Sequence, residues 1–316
     1  MKTRVLVPSG ALGLPYDKGA LKKGLEQKPD IIAIDGGSTD SGPSYLGQGI
    51  SKYSRASTKA EWKGLMEARE SAQIPLLIGT AGTCGTDSTV DWFLEITQEL
   101  AKELNQSLKI VIIRCSQEKS KVAEAYSDGK IQPLPNAPTL SKEIIINCTN
   151  IVALAGIEQV IDALKEKPDI IIAGRTTDTA IIAALPVMRG IDPGLAWHGA
   201  KIAECGALCT TNPLSGVIIV DFNNDSFSIE PMAQNAMATP ETVSAHMLYE
   251  NTNPFILYEP GGYLDTKSAS YIAESNRKVR VQNSKWIPDH KYNCLLYTSD
   301  AADDTPCVDL GGRRII

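Results

Sequence analysis

Six short aliphatic runs, at residues 4–8, 30–35, 75–79, 109–115, 143–147 and 169–173, limit what this chain can become. Val5-Leu6-Val7, Ile31-Ile32-Ala33-Ile34 and Ile170-Ile171-Ile172-Ala173 carry no polar residue at alternate positions. A strand with one wet face would alternate, so these read as strands buried on both faces, the kind found in parallel sheets covered by helices. Parallel neighbours need long crossovers, and helical stretches are expected at 18–27, 59–72, 88–105, 118–126, 156–166 and 179–189. In 88–105 the residues Val90, Phe93, Leu94, Thr97, Leu100, Ala101 and Leu104 recur at helical spacing and form one stripe. The fold class is therefore α/β, a mostly parallel sheet with helices on both faces. A chain of 316 residues, 43% of them hydrophobic, can bury a core of that size.

From Gly216 the pattern changes. Two strand-like runs, 217–222 and 226–230, flank Asn223-Asn224-Asp225, a strong hairpin signal. The organisation expected is a parallel α/β domain over 1–215, the start of a mixed α+β region over 216–293 that is left incomplete, and a tail over 294–316. That tail, Cys294 to Ile316, reads in frame as a translated transposase-type sequencing adaptor. It is expected to be a scar, with the natural sequence interrupted at about Asn293. Without it the net charge of -6 becomes -4 and five cysteines remain. Neither figure gives a basic surplus for nucleic acid or an anionic membrane. An odd number of thiols, no CxxC pair and no apolar secretory stretch at the start point to a reduced, cytoplasmic protein without a zinc site.

Three strand ends deliver a glycine and then Thr-Asp: Gly37-Ser38-Thr39-Asp40, Gly79 through Thr86-Asp87, and Gly174-Arg175-Thr176-Thr177-Asp178. In open α/β sheets ligands bind at the carboxyl ends of the strands, where helix N-termini offer unpaired N–H groups. Each Thr-Asp also suits a helix N-cap, so repetition carries the functional reading. Asp35, Asp40 and Asp178 are the acid/base candidates. Gly37, Ser38, Thr39, Gly79, Gly82, Thr83, Gly85 and Thr86 are candidates to cradle an anion, with Arg175 and Thr176 to orient it. His198 and Glu204, six residues apart, could act as a base and its orienting carboxylate, although a packed histidine fits as well. The spacing G-x-x-G-x-x-G at 79–85 departs from the dinucleotide fingerprint, which leaves an NADP-dependent oxidoreductase as a weaker reading.

The run Ile34-Asp35-Gly36-Gly37-Ser38-Thr39-Asp40-Ser41-Gly42-Pro43, the loop from Gly79 to Asp87, the segment from Gly174 to Asp178 and the later His198-Gly199 with Glu204-Cys205-Gly206 together resemble the acyclic terpene utilisation (AtuA) family. The resemblance runs from Arg4 to about Asn293. It implies a place in catabolism, since the family is named for gene clusters that degrade terpenes such as citronellol through acyl-CoA intermediates. It also implies a chain that continues beyond Asn293. Terpene-cluster members tend to follow the Asp of the second strand with an acidic, leucine-containing helix start. The glycine-rich loop here implies a different subgroup and substrate.

The expected function is a catabolic enzyme acting on a small carboxylate or acyl-CoA by acid/base chemistry, of lyase, hydratase or isomerase type, without a cofactor. The alternative is a non-catalytic ligand-binding or assembly subunit. The expected partner is an anionic small molecule, and a homo-oligomer is compatible with this reading.

Overall fold

The computed structural model describes residues 2–37, 43–133, 139–249, 251, 253–289 and 295–298, the side chains of 43 and 295–298 excepted. In chain order the elements are β1 (Thr3–Val7), α1 (Lys18–Glu26), β2 (Ile31–Asp35), α2 (Pro43–Gln48), α3 (Arg55–Ala72), β3 (Leu76–Gly79), α4 (Asp87–Glu103), β4 (Ile110–Ile113) and α5 (Lys119–Ser127). There follow α6 (Lys142–Asn147), β5 (Asn150–Ala153), α7 (Ile157–Lys165), β6 (Ile170–Ala173), α8 (Ala180–Met188) and α9 (Pro193–Ala203). The remainder comprises β7 (Ile218–Phe222), β8 (Ser226–Pro231), α10 (Pro240–Ala245), β9 (Ile256–Glu259), β10 (Gly262–Asp265), β11 (Ser270–Ala273), β12 (Val279–Gln282), β13 (Lys285–Pro288) and β14 (Leu295–Thr298).

Nine strands form one sheet in the order β11-β12-β8-β7-β1-β2-β3-β6-β4. Strands β1, β2, β3, β6 and β4 are mutually parallel, as the unbroken apolar runs require. At β1 the direction reverses: β7 pairs antiparallel to it, and β8, β12 and β11 continue antiparallel. The hairpin signal at 223–225 is where β7 turns into β8, with Phe222 opposite Phe227. Small separate sheets pair β13-β10-β9 and β14-β5.

Residue parity along the strands divides the core in two. Val5, Val7, Ile31, Ala33, Leu77 and Ile171 face α7, α8 and α9, while Leu6, Ile32, Ile34, Leu76, Ile78 and Ile172 face α1, α3 and α4. Each of these Val, Leu and Ile side chains contributes roughly 1.5–3 kcal/mol on burial, and Ala33 less. On the second face Trp62 meets Phe93 edge-on at 4.9 Å and donates its indole N–H to Thr97 Oγ1 at 3.0 Å, so the polar end of the ring is satisfied without leaving the core.

The repeated Lys-Pro-Asp has a local cause. Lys28 and Lys167 both take left-handed backbone, φ 55° and 54°, to end a helix. The following Asp then secures the start of a neighbouring strand. Asp30 Oδ2 accepts from Arg4 N and Asp169 Oδ2 from Lys109 N, each at 2.7 Å.

One expected strand is a helix. Residues 143–147 lie in α6, whose N-cap Ser141 accepts from Ile144 N, and the strand comes afterwards as β5. Three successive isoleucines suit either state when the run is this short. The Ser at the N-cap position decides for the helix, which buries Ile145 and leaves Ile146 exposed. Among the described residues no helix is long and apolar enough to cross a membrane.

Candidate functional site

Asp35 ends β2 opposite Gly79 of β3, and its parity with Ile31 and Ala33 turns it toward the face covered by α8 and α9. It is buried. Gly36 N donates to its Oδ1 at 2.9 Å and to Gly79 O at 2.7 Å, which locks the strand end against β3. Burial, reinforced by the charge of Asp178, pushes the Asp35 carboxyl well above its ordinary range, against the opposing pull of Arg175 and the Gly36 and Gly37 amides. Asp35 therefore holds its proton more tightly than an exposed carboxyl does.

Arg175 and Asp178 are delivered by the loop after β6. This loop is clasped to the loop after β3: Thr80 N donates to Gly174 O at 2.9 Å, Ala81 N to Ala173 O at 2.9 Å and Arg175 N to Gly85 O at 3.0 Å. Gly85 has φ +67°, and a Cβ there would land on the Arg175 backbone. Gly79 likewise leaves room for Thr176 Oγ1. The guanidinium of Arg175, only 5% exposed, reaches Gly37 O and Thr80 Oγ1, each at 3.4 Å, and its Nε has no hydrogen-bond partner among the described residues. The cation thus sits behind the carboxyl pair rather than at the surface.

Asp35, Asp178 and Glu204 line a cavity of about 290 Å³ at the carboxyl edge of β1 and β2. Ser9, Gly10 and Ala11 after β1 and Gly216 before β7 form its sides, a consequence of β7 running antiparallel to β1. Cys205 lines it too. Glu204 caps the end of α9 and pairs with Lys201, both side chains 1% exposed. The mouth is apolar: Leu14, Leu208, Leu214 and Tyr249 line it and remain partly exposed, Leu214 by 76%. Among the described residues no set of three His, Cys, Asp or Glu side chains is arranged to hold a metal.

Of the residues singled out in the sequence, the structure brings Asp35, Asp178 and Glu204 to one cavity, with Arg175 behind them. Gly37 lies beside Asp35, its α-carbon packed against Thr83. Ser38, Thr39 and Asp40 lie outside the described residues. Gly82, Thr83, Gly85 and Thr86 are buried below the Arg175 loop rather than around the cavity. There the first turn of α4 is occupied by the protein's own groups. Thr86 caps it, while Asp87 Oδ1 accepts from Cys115 N and Ser116 N at 3.1 Å. Burial pushes the Cys115 thiol up to about 12, so it is no nucleophile at neutral pH.

His198 is in the core within α9, apart from the cavity lining. Its Nδ1 is 2.6 Å from Ser284 Oγ and its Nε2 3.1 Å from Tyr271 OH. Burial lowers its pKa to about 3, which keeps the ring neutral. The sequence reading missed Ser9, Gly10, Gly216 and the apolar mouth. Ser9-Gly10 also follows a parallel strand, so applying the strand-end rule to β1 would have found them.

A family model described as "Acyclic terpene utilisation family protein AtuA" matches residues 70–292. That span includes the loops after β3 and β6, Glu204 and Tyr249, and leaves out Asp35. No curated protein and no solved structure matches the chain.

Proposed function

The chain belongs to the acyclic terpene utilisation (AtuA) family, and on that premise we propose that it is an enzyme performing general acid/base catalysis at the cavity floored by Asp35 and Asp178. The observation that carries this reading is a buried carboxyl, Asp35, whose proton affinity is raised by burial and by the charge of Asp178, with both side chains lining one cavity. A carboxyl of raised proton affinity can serve as the acid while a second residue of the same type serves as the base.

In an elimination, Asp178 takes the proton from the carbon adjacent to a hydroxyl-bearing carbon. Asp35 gives its proton to that hydroxyl, the C–O bond breaks, water leaves and a double bond forms. Run backwards this is a hydration. With no leaving group, removal of a proton at one carbon and its return at another is an isomerisation. Arg175, behind the pair, stabilises Asp35 once it has given up its proton. The departure of the Asp35–Pro43 loop from the terpene-cluster pattern means that no terpene is assigned as substrate. Among the described residues five cysteines stand without disulfide partners, which supports a cytoplasmic home.

Solvent-deuterium incorporation into candidate substrates tests the proposal. Asp35→Asn and Asp178→Asn should each lower the exchange rate by about 10²–10⁴-fold. Unchanged exchange in both, together with unchanged exchange in Arg175→Ala, would remove the site.

A further inference from the structure

Half of the large apolar side chains that the described residues leave exposed gather in one place. Leu14, Leu208, Leu214 and Tyr249 stand around the mouth of the cavity. Leu248 ends the 3₁₀ turn that Tyr249 caps. Met237 is tied to the Leu208–Leu214 stretch by two bonds, Thr211 N to Met237 O at 2.9 Å and Met237 N to Thr211 Oγ1 at 3.0 Å. The exposed fractions of these six residues run from 39% at Leu208 and Tyr249 to 76% at Leu214, and together equal about three whole side chains. At about 150 Å² each, the low end for an aromatic residue, that is about 450 Å² of apolar surface. A stable interface buries about 800 Å² of each partner, rather over half of it non-polar, which is again about 450 Å².

The patch is also free of charge. The stretches that carry it, residues 8–16, 205–216, 235–240 and 242–249, contain no Asp, Glu, Lys or Arg, in a chain 22% charged. Charges that touch these stretches are engaged with backbone: Glu61 accepts from Gly13 N, and Arg277 donates to the carbonyls of Pro231, Ala233 and Gln234. Such a surface offers a charged partner nothing to pair with and an anionic membrane no cation to hold. It is its own complement. A two-fold axis sets the same neutral residues opposite each other, so that no like charges meet although the whole chain carries a net charge of -6. We propose that this patch is the contact by which two copies of the chain pair about a two-fold axis, with the cavity mouths enclosed between them. The inference concerns the surface around the cavity and does not depend on the acid/base chemistry inside it.

Sedimentation equilibrium of the full chain, from sub-micromolar to tens of micromolar concentration, tests the pairing. The mass should rise to a plateau at twice 34.0 kDa. Leu214→Asp and Leu248→Asp each bring two new carboxylates into the contact, one from each copy, and should weaken the dimer at least about tenfold. Leu214→Met should keep it, and Ile146→Asp, exposed on α6 away from the patch, should leave the mass unchanged. Far-UV circular dichroism of the variants separates loss of the dimer from loss of the fold. A wild-type mass that stays at one chain overturns the proposal, as does a dimer indifferent to both Asp variants or a mass that climbs past two copies without a plateau. Binding of a monomeric chain to neutral phosphatidylcholine vesicles, lost in Leu214→Asp, would assign the patch to lipid instead.

Discussion

Replacing Gly85 by Ala tests whether the two strand-end loops are clasped as tightly as their hydrogen bonds indicate. Gly85 and Gly129 have nearly the same backbone, φ +67° and +70°, but a Cβ at Gly129 meets nothing within 4 Å whereas one at Gly85 lands on Arg175 N and lies 2.7 Å from its Cα. Forcing left-handed backbone on Ala costs about 1–2 kcal/mol, offset by about 0.4–1 kcal/mol from the restricted unfolded chain. Gly129→Ala should therefore lose about 1 kcal/mol. Gly85→Ala adds an overpacking cost of about 1–3 kcal/mol, because backbone and not a flexible side-chain end must yield. Urea unfolding of the pair reads the difference directly, at unchanged slope. Displacement of Arg175 and Asp178 should also weaken ligand binding in Gly85→Ala alone. Equal losses in the two variants would refute the clasp, and with it the account of how Asp178 is held beside Asp35.

Because the folded-state proton affinity of Asp35 is raised, its contribution to stability is complete below the ordinary carboxyl range and is lost as pH rises through its folded value. Asp35→Asn should therefore gain stability relative to wild type as pH rises, measured by urea unfolding at a series of pH values; parallel curves would contradict the burial of the acid. His198 has the opposite sign: with its folded value lowered to about 3 from 6.5, stability is present above 6.5 and lost as pH falls through that window. His198→Gln should flatten that acid limb, the remaining slope belonging in part to His246, which burial lowers to about 4. Trp62→Ala should cost about 3–5 kcal/mol through the cavity it leaves, while the Thr97 hydroxyl keeps its bond to Phe93 O, and the loss is read as a fall in urea midpoint.

How far the fold could be read depended on whether local pattern or distant packing decided each element. The parallel strands were legible because doubly buried strands suppress polar alternation, and Ile31 to Ile34 could be little else. Asp35 stood out as a charge closing such a run, and its parity with Ile31 and Ala33 already implied which face it would take. Residues 143–147 misled because an isoleucine run has no period of its own, so a single capping serine outweighed β propensity. The Gly79–Thr86 loop drew attention as an anion cradle, but its glycines make room for the Arg175 loop, a contact between strands far apart in sequence. The mouth was invisible for the same reason: Leu14, Leu208, Leu214 and Tyr249 come from loops and short 3₁₀ turns, too brief for any periodicity to mark a side chain as facing a shared space.

The reversal of direction at β1 also fixes when the cavity can exist. Its walls are taken from the first turn after β1, the end of β2, the loop after β6, the end of α9 and Tyr249, so no stretch emerging early from the ribosome contains them all. At about 5–20 residues per second, the roughly 200 residues between Asp35 and Tyr249 take about 10–40 s to synthesise. For most of that interval Asp35 ends a strand whose covering helices α8 and α9 are incomplete, and its carboxyl is in water. Closure of the site is thus what raises the proton affinity of Asp35, and it belongs to the last stage of synthesis rather than to the formation of β2.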